Sequence, residues 1–253
     1  GFLLPRLTTQ QRDNDIATPI PEGLVIYNID EGCVEVFDGT DWRSLCDTGA
    51  PPSSIQACGV MTEIVEVTNP TTGRIWMDRN LGATQQATSA LDEDSYGCLY
   101  QWGRGTDGHE FRNSNTTTNL SASDTPGHGD FITVPSLVMP MDWRDPQNDN
   151  LWQGVNGINN PCPGGFRIPT EIEWVNEVAS WNSNSLADAF DSELKISRAG
   201  ARRVDNANII VETARYWTST TVGDQARYLT YFTSFNMSTI VRGYAVSVRC
   251  IKD

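Results

Sequence analysis

Six cysteines, at positions 33, 46, 58, 98, 162 and 250, constrain this 253-residue chain more than any other feature. The count is even, no Cys-x-x-Cys is present and there are only two histidines, so the pattern reads as a disulfide framework and not as a zinc site. Disulfides persist in oxidising compartments, which predicts an extracellular or cell-surface protein. Lys plus Arg is 18 against 32 Asp plus Glu, a formal net charge of −14. That balance excludes nucleic acid as a partner, because phosphate binding needs a basic patch. No apolar run reaches the ~18 residues of a membrane-spanning helix, and no signal-peptide pattern stands at the front. The opening GFLLPRLTTQQRDND reads as the interior of something longer, or as a processed product.

The chain divides by composition into a small β module at 1–47, a linker at 48–57 and a main domain at 58–253. In the first part, GLVIYNID reads as a strand. CVEVFDGTDWRSLC reads as a hairpin, because Asp38-Gly39 sits between two alternating runs. Cys33 and Cys46 close its outer ends, so antiparallel pairing predicts a Cys33–Cys46 bridge. The stretch DTGAPPSSIQA is Pro-, Ser- and Gly-rich, as linkers are. In the main domain Thr170 and Glu173 form a T-x-x-E capping box. It predicts a helix with Ile172, Trp174, Val175, Val178 and Trp181 on one face. A second helix is expected near Ser185–Leu194 and a short third after Tyr96. Strands are expected at Glu63–Thr68, Gly73–Met77, Leu194–Ile196, Tyr216–Ser219, Ala226–Phe232 and Tyr244–Cys250. Between Thr106 and Leu151 runs a polar loop long enough to need a function or special support.

Several motifs occur in a fixed order: GRIWMDRNLGA (73–83), YGCLYQWGRGTDGHE (96–110), NNPCPGGFRIPTEIEW (159–174), YWTST (216–220) and GYAVSVRCIKD (243–253). Together they resemble the Fibrobacter succinogenes major paralogous domain, a family of secreted proteins in Bacteroidetes and Fibrobacteres. GFRIPTEIEW is also similar to a segment of formylglycine-generating enzymes. Both groups resemble the C-type lectin fold. The resemblance therefore implies an α+β domain with a twisted antiparallel sheet, two main helices and long loops. It also implies the pairings Cys162–Cys250 and Cys58–Cys98. Residues 1–46 separately resemble a short module of bacteroidetal surface proteins and phage-tail-like fibres.

Candidate sites are sparse. His109 and His128 lie in Gly-rich loops, and with Asp107, Glu110 and Asp130 they are candidates for a metal or ligand site, although no recognised ligand spacing is present. Local hydrogen bonding is the plainer reading of both. Trp143 and Trp152 end the polar loop, where an exposed aromatic would stack on a sugar ring; packing that holds the loop down is the plainer alternative. Calcium is the one cofactor considered, at Asp92 and Asp94 in LDEDSYG and at Asp142 and Asp145 in DWRDPQNDN, since Ca²⁺ takes clustered oxygen ligands. A solvated acidic loop explains the same residues without an ion. Arg79, Arg104, Arg167 and Arg249 are expected in bidentate pairs with carboxylates such as Asp78 or Asp94. No catalytic residues are assigned: there is no Gly-x-Ser-x-Gly element, and Cys250 has no second cysteine near it for thiol chemistry. The expected function is non-enzymatic, an extracellular surface or fibre protein that mediates adhesion to a glycan or protein. A repeating filament subunit that partners itself is the alternative, and an enzyme related to formylglycine generation ranks below both.

Overall fold

A computed structural model describes residues 3–30, 32–45 and 54–253, apart from 137 and 212. Cys46 is not among them, so the expected Cys33–Cys46 bridge lies outside the described residues. The chain forms two units, Gly1–Pro51 and Pro52–Asp253.

Unit 1 is a four-stranded sheet with one helix. Strand β1 (Arg6–Leu7) leads into α1 (Thr9–Asp15), then β2 (Val25–Asn28), β3 (Cys33–Phe37) and β4 (Trp42–Ser44) follow in spatial order. β1 pairs parallel to β2, and the other pairs are antiparallel. The β3–β4 turn is organised by Asp38, whose Oδ1 accepts from the amides of Thr40 (2.9 Å) and Asp41 (2.8 Å). These bonds, the Asp41 amide foremost, with Arg43 beside them, hold the Asp38 carboxyl well below its usual range. Helix α1 was not foreseen. Its signal is present in the sequence as a second capping box, in which Thr8 receives the Gln11 amide and Gln11 receives the Thr8 amide.

Unit 2 is largely strand. It begins with β5 (Ser54–Ala57), β6 (Val60–Glu63), β7 (Glu66–Thr68) and β8 (Ile75–Met77). Next come β9 (Tyr100–Gln101), β10 (Thr116–Thr117), β11 (Phe131–Ile132) and β12 (Phe166–Arg167). Helices α2 (Glu171–Ala179) and α3 (Leu186–Asp191) precede β13 (Ala201–Arg202) and β14 (Ile209–Ile210). Last are β15 (Arg215–Val222), β16 (Gln225–Tyr231), β17 (Phe235–Val241), β18 (Ala245–Val246) and β19 (Ile251–Lys252). The sheets run β12-β19-β8-β7, β14-β13-β18-β9 and β15-β16-β17, with small pairs β5-β6 and β10-β11. This mostly-β architecture with few helices is compatible with an α+β fold.

Strand β15 separates two cores. Its successive side chains point to opposite faces. Tyr216 joins Trp76, Trp174, Leu194 and Leu229, while Trp217 joins Met77, Tyr100, Trp102 and Trp152. Both faces are covered, which is why Arg215 to Ser219 are buried without interruption. Helix α2 packs on β15, β16 and β17. Two disulfides, Cys58–Cys98 and Cys162–Cys250, lie within or against the second of these cores. Gly82, at φ +84°, lies so close to the Cys98 sulfur that no Cβ fits there.

Several expectations change. Ser54–Ala57, assigned by composition to the linker, is a strand that pairs with Val60–Glu63. No helix follows Tyr96: Gly97 takes φ +63°, and Tyr100–Gln101 pair instead with Val246 and Ala245. Leu194–Ile196 is not a strand, because Lys195 at φ +47° turns the chain so that Leu194 and Ile196 are both buried. The buried side of α2 is Glu173, Trp174 and Glu177; Ile172 and Val175 are exposed. The two carboxylates go inward because each has buried partners. Glu173 meets Arg167 at 2.8 Å, and Glu177 accepts from Asn69 at 2.8 Å.

Candidate functional site

The segment Tyr100–Arg104 is the root of the long polar loop. β9 fixes Gln101 against Ala245, and Gln101 then spends its whole amide on neighbouring backbone and on Arg104. Its Nε2 donates to the carbonyls of Ile132 (2.9 Å) and Gly243 (2.8 Å), and its Oε1 accepts from Ile132 N (3.1 Å) and Arg104 Nη1 (2.9 Å). Arg104 is fully buried and reaches across the loop. It donates to Asp107 Oδ2 (2.7 Å), to the carbonyl of Asp130 (3.0 Å) and to the carbonyl of His128 (3.1 Å). A buried guanidinium with every side occupied is a brace.

His109 completes the network. Its Nδ1 lies 2.6 Å from Asp107 Oδ1, and its Nε2 accepts the Gln101 amide at 3.0 Å. The tautomer is thereby set: Nδ1 carries the proton. Burial, with Arg104 nearby, pushes the His109 imidazole down to about 4, so it is neutral at pH 7. Burial opposes ionisation of Asp107, but the His109 N–H and Arg104 outweigh it and hold the carboxyl at about 2. Burial pushes Glu110 up, although its Oε2 accepts the Gly108 amide at 2.8 Å.

Asp107, His109 and Glu110 are the one trio of metal-type side chains that converge among the described residues. They do not fit a metal: both imidazole nitrogens are committed, and the Arg104 cation already sits on Asp107. His128 and Asp130 stay outside the trio. The His128 side chain is partly exposed, and its Nδ1 accepts the Asp130 amide at 3.1 Å.

Trp143 and Trp152 are buried to 1% and 0% exposure, so neither is available to stack on a sugar. Both hold the loop down instead. Trp143 Nε1 donates to the Trp102 carbonyl (2.7 Å) under the Arg104 guanidinium, and Trp152 Nε1 donates to the Asn159 carbonyl (3.0 Å). The calcium candidates do not converge either. Asp92 caps the 3-10 turn Glu93–Ser95 and accepts from the Thr88 amide and hydroxyl and from Gln85. Asp94 is exposed. Asp142 is buried, accepting from the Trp143 amide (2.7 Å) and Gln147 (2.8 Å), and burial pushes it up to about 6. Asp145 joins no cluster with it. Of the motif arginines, Arg79 pairs with Asp78, Arg104 with Asp107 and Arg167 with Glu173 and Asp253. Arg249 instead donates to Asn80 Oδ1 and to the carbonyls of Met77 and Leu194.

The reading of the sequence missed Gln101, Arg202 and Asn159. Arg202 donates to Ser114 and lies 4.4 Å over the Phe131 ring; Asn159 donates to the carbonyls of Gly103 and Asp124. A glutamine between two aromatics in LYQWGR was the available signal, since a buried amide must bond to something. Outside this frame, Leu120, Val138 and Met139 are exposed around a groove that also includes Asp142 and Val134.

Residues 1–58 match the family described as a phage tail like trimerisation region. The match covers unit 1 and the start of unit 2, and it points to a structural or fibre-like protein that associates with itself. No C-type-lectin or Fibrobacter paralogous-domain model matches the rest of the chain. No curated protein and no solved structure matches it. No helix among the described residues is long and apolar enough to cross a membrane.

Proposed function

We propose that this chain is a non-enzymatic subunit of an extracellular or surface-displayed fibre. In this reading unit 1 assembles the copies, and unit 2 is a C-type-lectin-like domain of the Fibrobacter succinogenes paralogous type that recognises a glycan or protein. The observation that carries the reading is the trimerisation-region match over residues 1–58. It is supported by the two disulfides of unit 2, which suit an oxidising compartment. It is supported too by the braced 106–151 loop with its groove at Leu120, Val138 and Met139, because a rigid loop loses little entropy on binding. The non-enzymatic part rests on His109 having both nitrogens engaged and on Cys250 being bonded to Cys162.

The test is a glycan and surface-protein array probed with the full chain. Binding that is lost in Val138→Asp supports recognition, and a blank array removes it. Protease shaving of intact cells should release peptides of unit 2. A repeating filament subunit is the second reading, favoured by the seven-residue strand β17 standing at the edge of its sheet, where a strand from another copy would add. Electron microscopy of the purified chain separates the two: discrete particles for the first, polymers for the second. Oxidation of a cysteine-bearing peptide would revive the formylglycine-type enzyme, and none is expected.

A further inference from the structure

One face of the unit 1 sheet, carrying Ile26, Asn28, Cys33 and Glu35, is buried, while the residues of the other face are only partly covered by the described residues. Helix α1, the one helix among the unit's described residues, has no buried residue of its own and lies over Asn28 and Glu35. Arg12 donates to both Glu35 oxygens (3.1 Å each), Asn28 donates to Glu35 (3.1 Å), and Asn28 donates to Thr9 (3.0 Å). Pairing register fixes what the opposite face carries. Tyr27 stands opposite Val34, Val25 opposite Val36, Arg6 beside Tyr27, and Arg43 beside Val36. Val25, Tyr27, Val34 and Val36 are all only half-buried, and none belongs to a hydrophobic core cluster. A unit of this size buries little apolar surface of its own and is expected to gain stability from association.

We infer that this open face is where the copies meet: Val25, Tyr27, Val34 and Val36 of three chains pack together, with Arg6 and Arg43 at the rim. The inference rests on the oligomeric reading proposed above and adds the surface that produces it. Other copies of this chain are the occupant for two reasons. The residues that form the face fall inside the stretch matching a trimerisation region. A closed three-fold ring also buries the same patch on every copy, whereas one foreign partner leaves the match without a role. The patch has the anatomy of an interface, with β-branched and aromatic residues at its centre and arginine at its edge. Arg6 stacks on the Tyr27 ring at 5.0 Å and has no ion pair among the described residues, so its charge is free to meet a carboxylate of the next copy.

The experiment measures the mass of the full chain by sedimentation velocity. The wild type is expected at three times the chain mass of 28.0 kDa. Val34→Glu is expected at one, and Tyr27→Ala at a concentration-dependent mixture, both with unchanged circular dichroism. Asn14→Lys, on the exposed side of α1, is expected to remain at three. Hydroxyl-radical labelling of the wild type supplies a readout that needs no variant: Tyr27 is expected to be protected in the assembly and labelled after dilution. A wild type that stays at one chain mass overturns both this inference and the oligomeric reading. A trimer that survives Val34→Glu and Tyr27→Ala, or a Tyr27 labelled equally at all concentrations, overturns the surface alone.

Discussion

Two buried groups of unit 2 give opposite pH dependences over the same range. Buried His109 titrates near 4 against an ordinary 6.5, so the unfolded chain binds the proton first and stability falls as pH drops from about 6.5 to 4. Buried Asp142 titrates near 6 against an ordinary 3.8, so the folded chain binds the proton first and stability falls as pH rises from about 4 to 6. At about 1.4 kcal/mol per pH unit, the two effects are of similar order and opposite sign. Asp142→Asn, which keeps an acceptor for the Trp143 amide, removes one of them. Melting temperatures of that variant should fall more steeply between pH 6.5 and 4 than those of the wild type. Arg104 is the other decisive residue. Arg104→Met leaves Asp107 without its cation and the Asp130 and His128 carbonyls without a donor. It should cost about 3 kcal/mol or more, and hydrogen exchange should accelerate first at Asp130–Ile132.

Elements with a local signature were legible from the chain. The Thr170–Glu173 box marks the start of α2 to the residue, and Asp38-Gly39 marks the β3–β4 hairpin. Thr170→Ala should cost about 1 kcal/mol in urea unfolding, since the Glu173 amide then loses its acceptor, Thr170 Oγ1. What was not legible depends on distant partners. The inward turn of Glu173 and Glu177 needs Arg167 and Asn69 to be in place, and no helical period reveals that. The two-residue strands β9, β13, β14 and β18 are too short for alternation to show and are defined by pairing with one another. The site was half legible: the loop and its tryptophans stood out, but their burial follows from carbonyls at Trp102 and Asn159 that only the fold brings close. The longest covalent closure, Cys162–Cys250, spans 88 residues and should contribute about 4–5 kcal/mol by chain entropy. Replacing both cysteines by serine should lower the urea midpoint accordingly, and on the proposed assembly through unit 1 it should leave the oligomer mass unchanged.

At the scale of the molecule, the proposed function divides assembly and presentation between two units that differ in how they are stabilised. Unit 2 carries four core clusters and two disulfides, whereas no described residue of unit 1 belongs to such a cluster. Dilution should therefore destabilise unit 1 while sparing unit 2, which differential scanning calorimetry at two concentrations would resolve as one moving and one stationary transition.

The indole side chains offer a way to watch that division. Of eight tryptophans, six are sealed inside unit 2, and unit 1 has Trp42 alone. Intrinsic fluorescence is consequently an almost pure reporter on the larger unit, emitting at short wavelength until its interior opens. Loss of the smaller unit's architecture would pass nearly dark through that channel. A light-based melt and a hydrodynamic one will thus disagree on the proposed assembly, and the gap between them measures how far unit 1 can fail before unit 2 does.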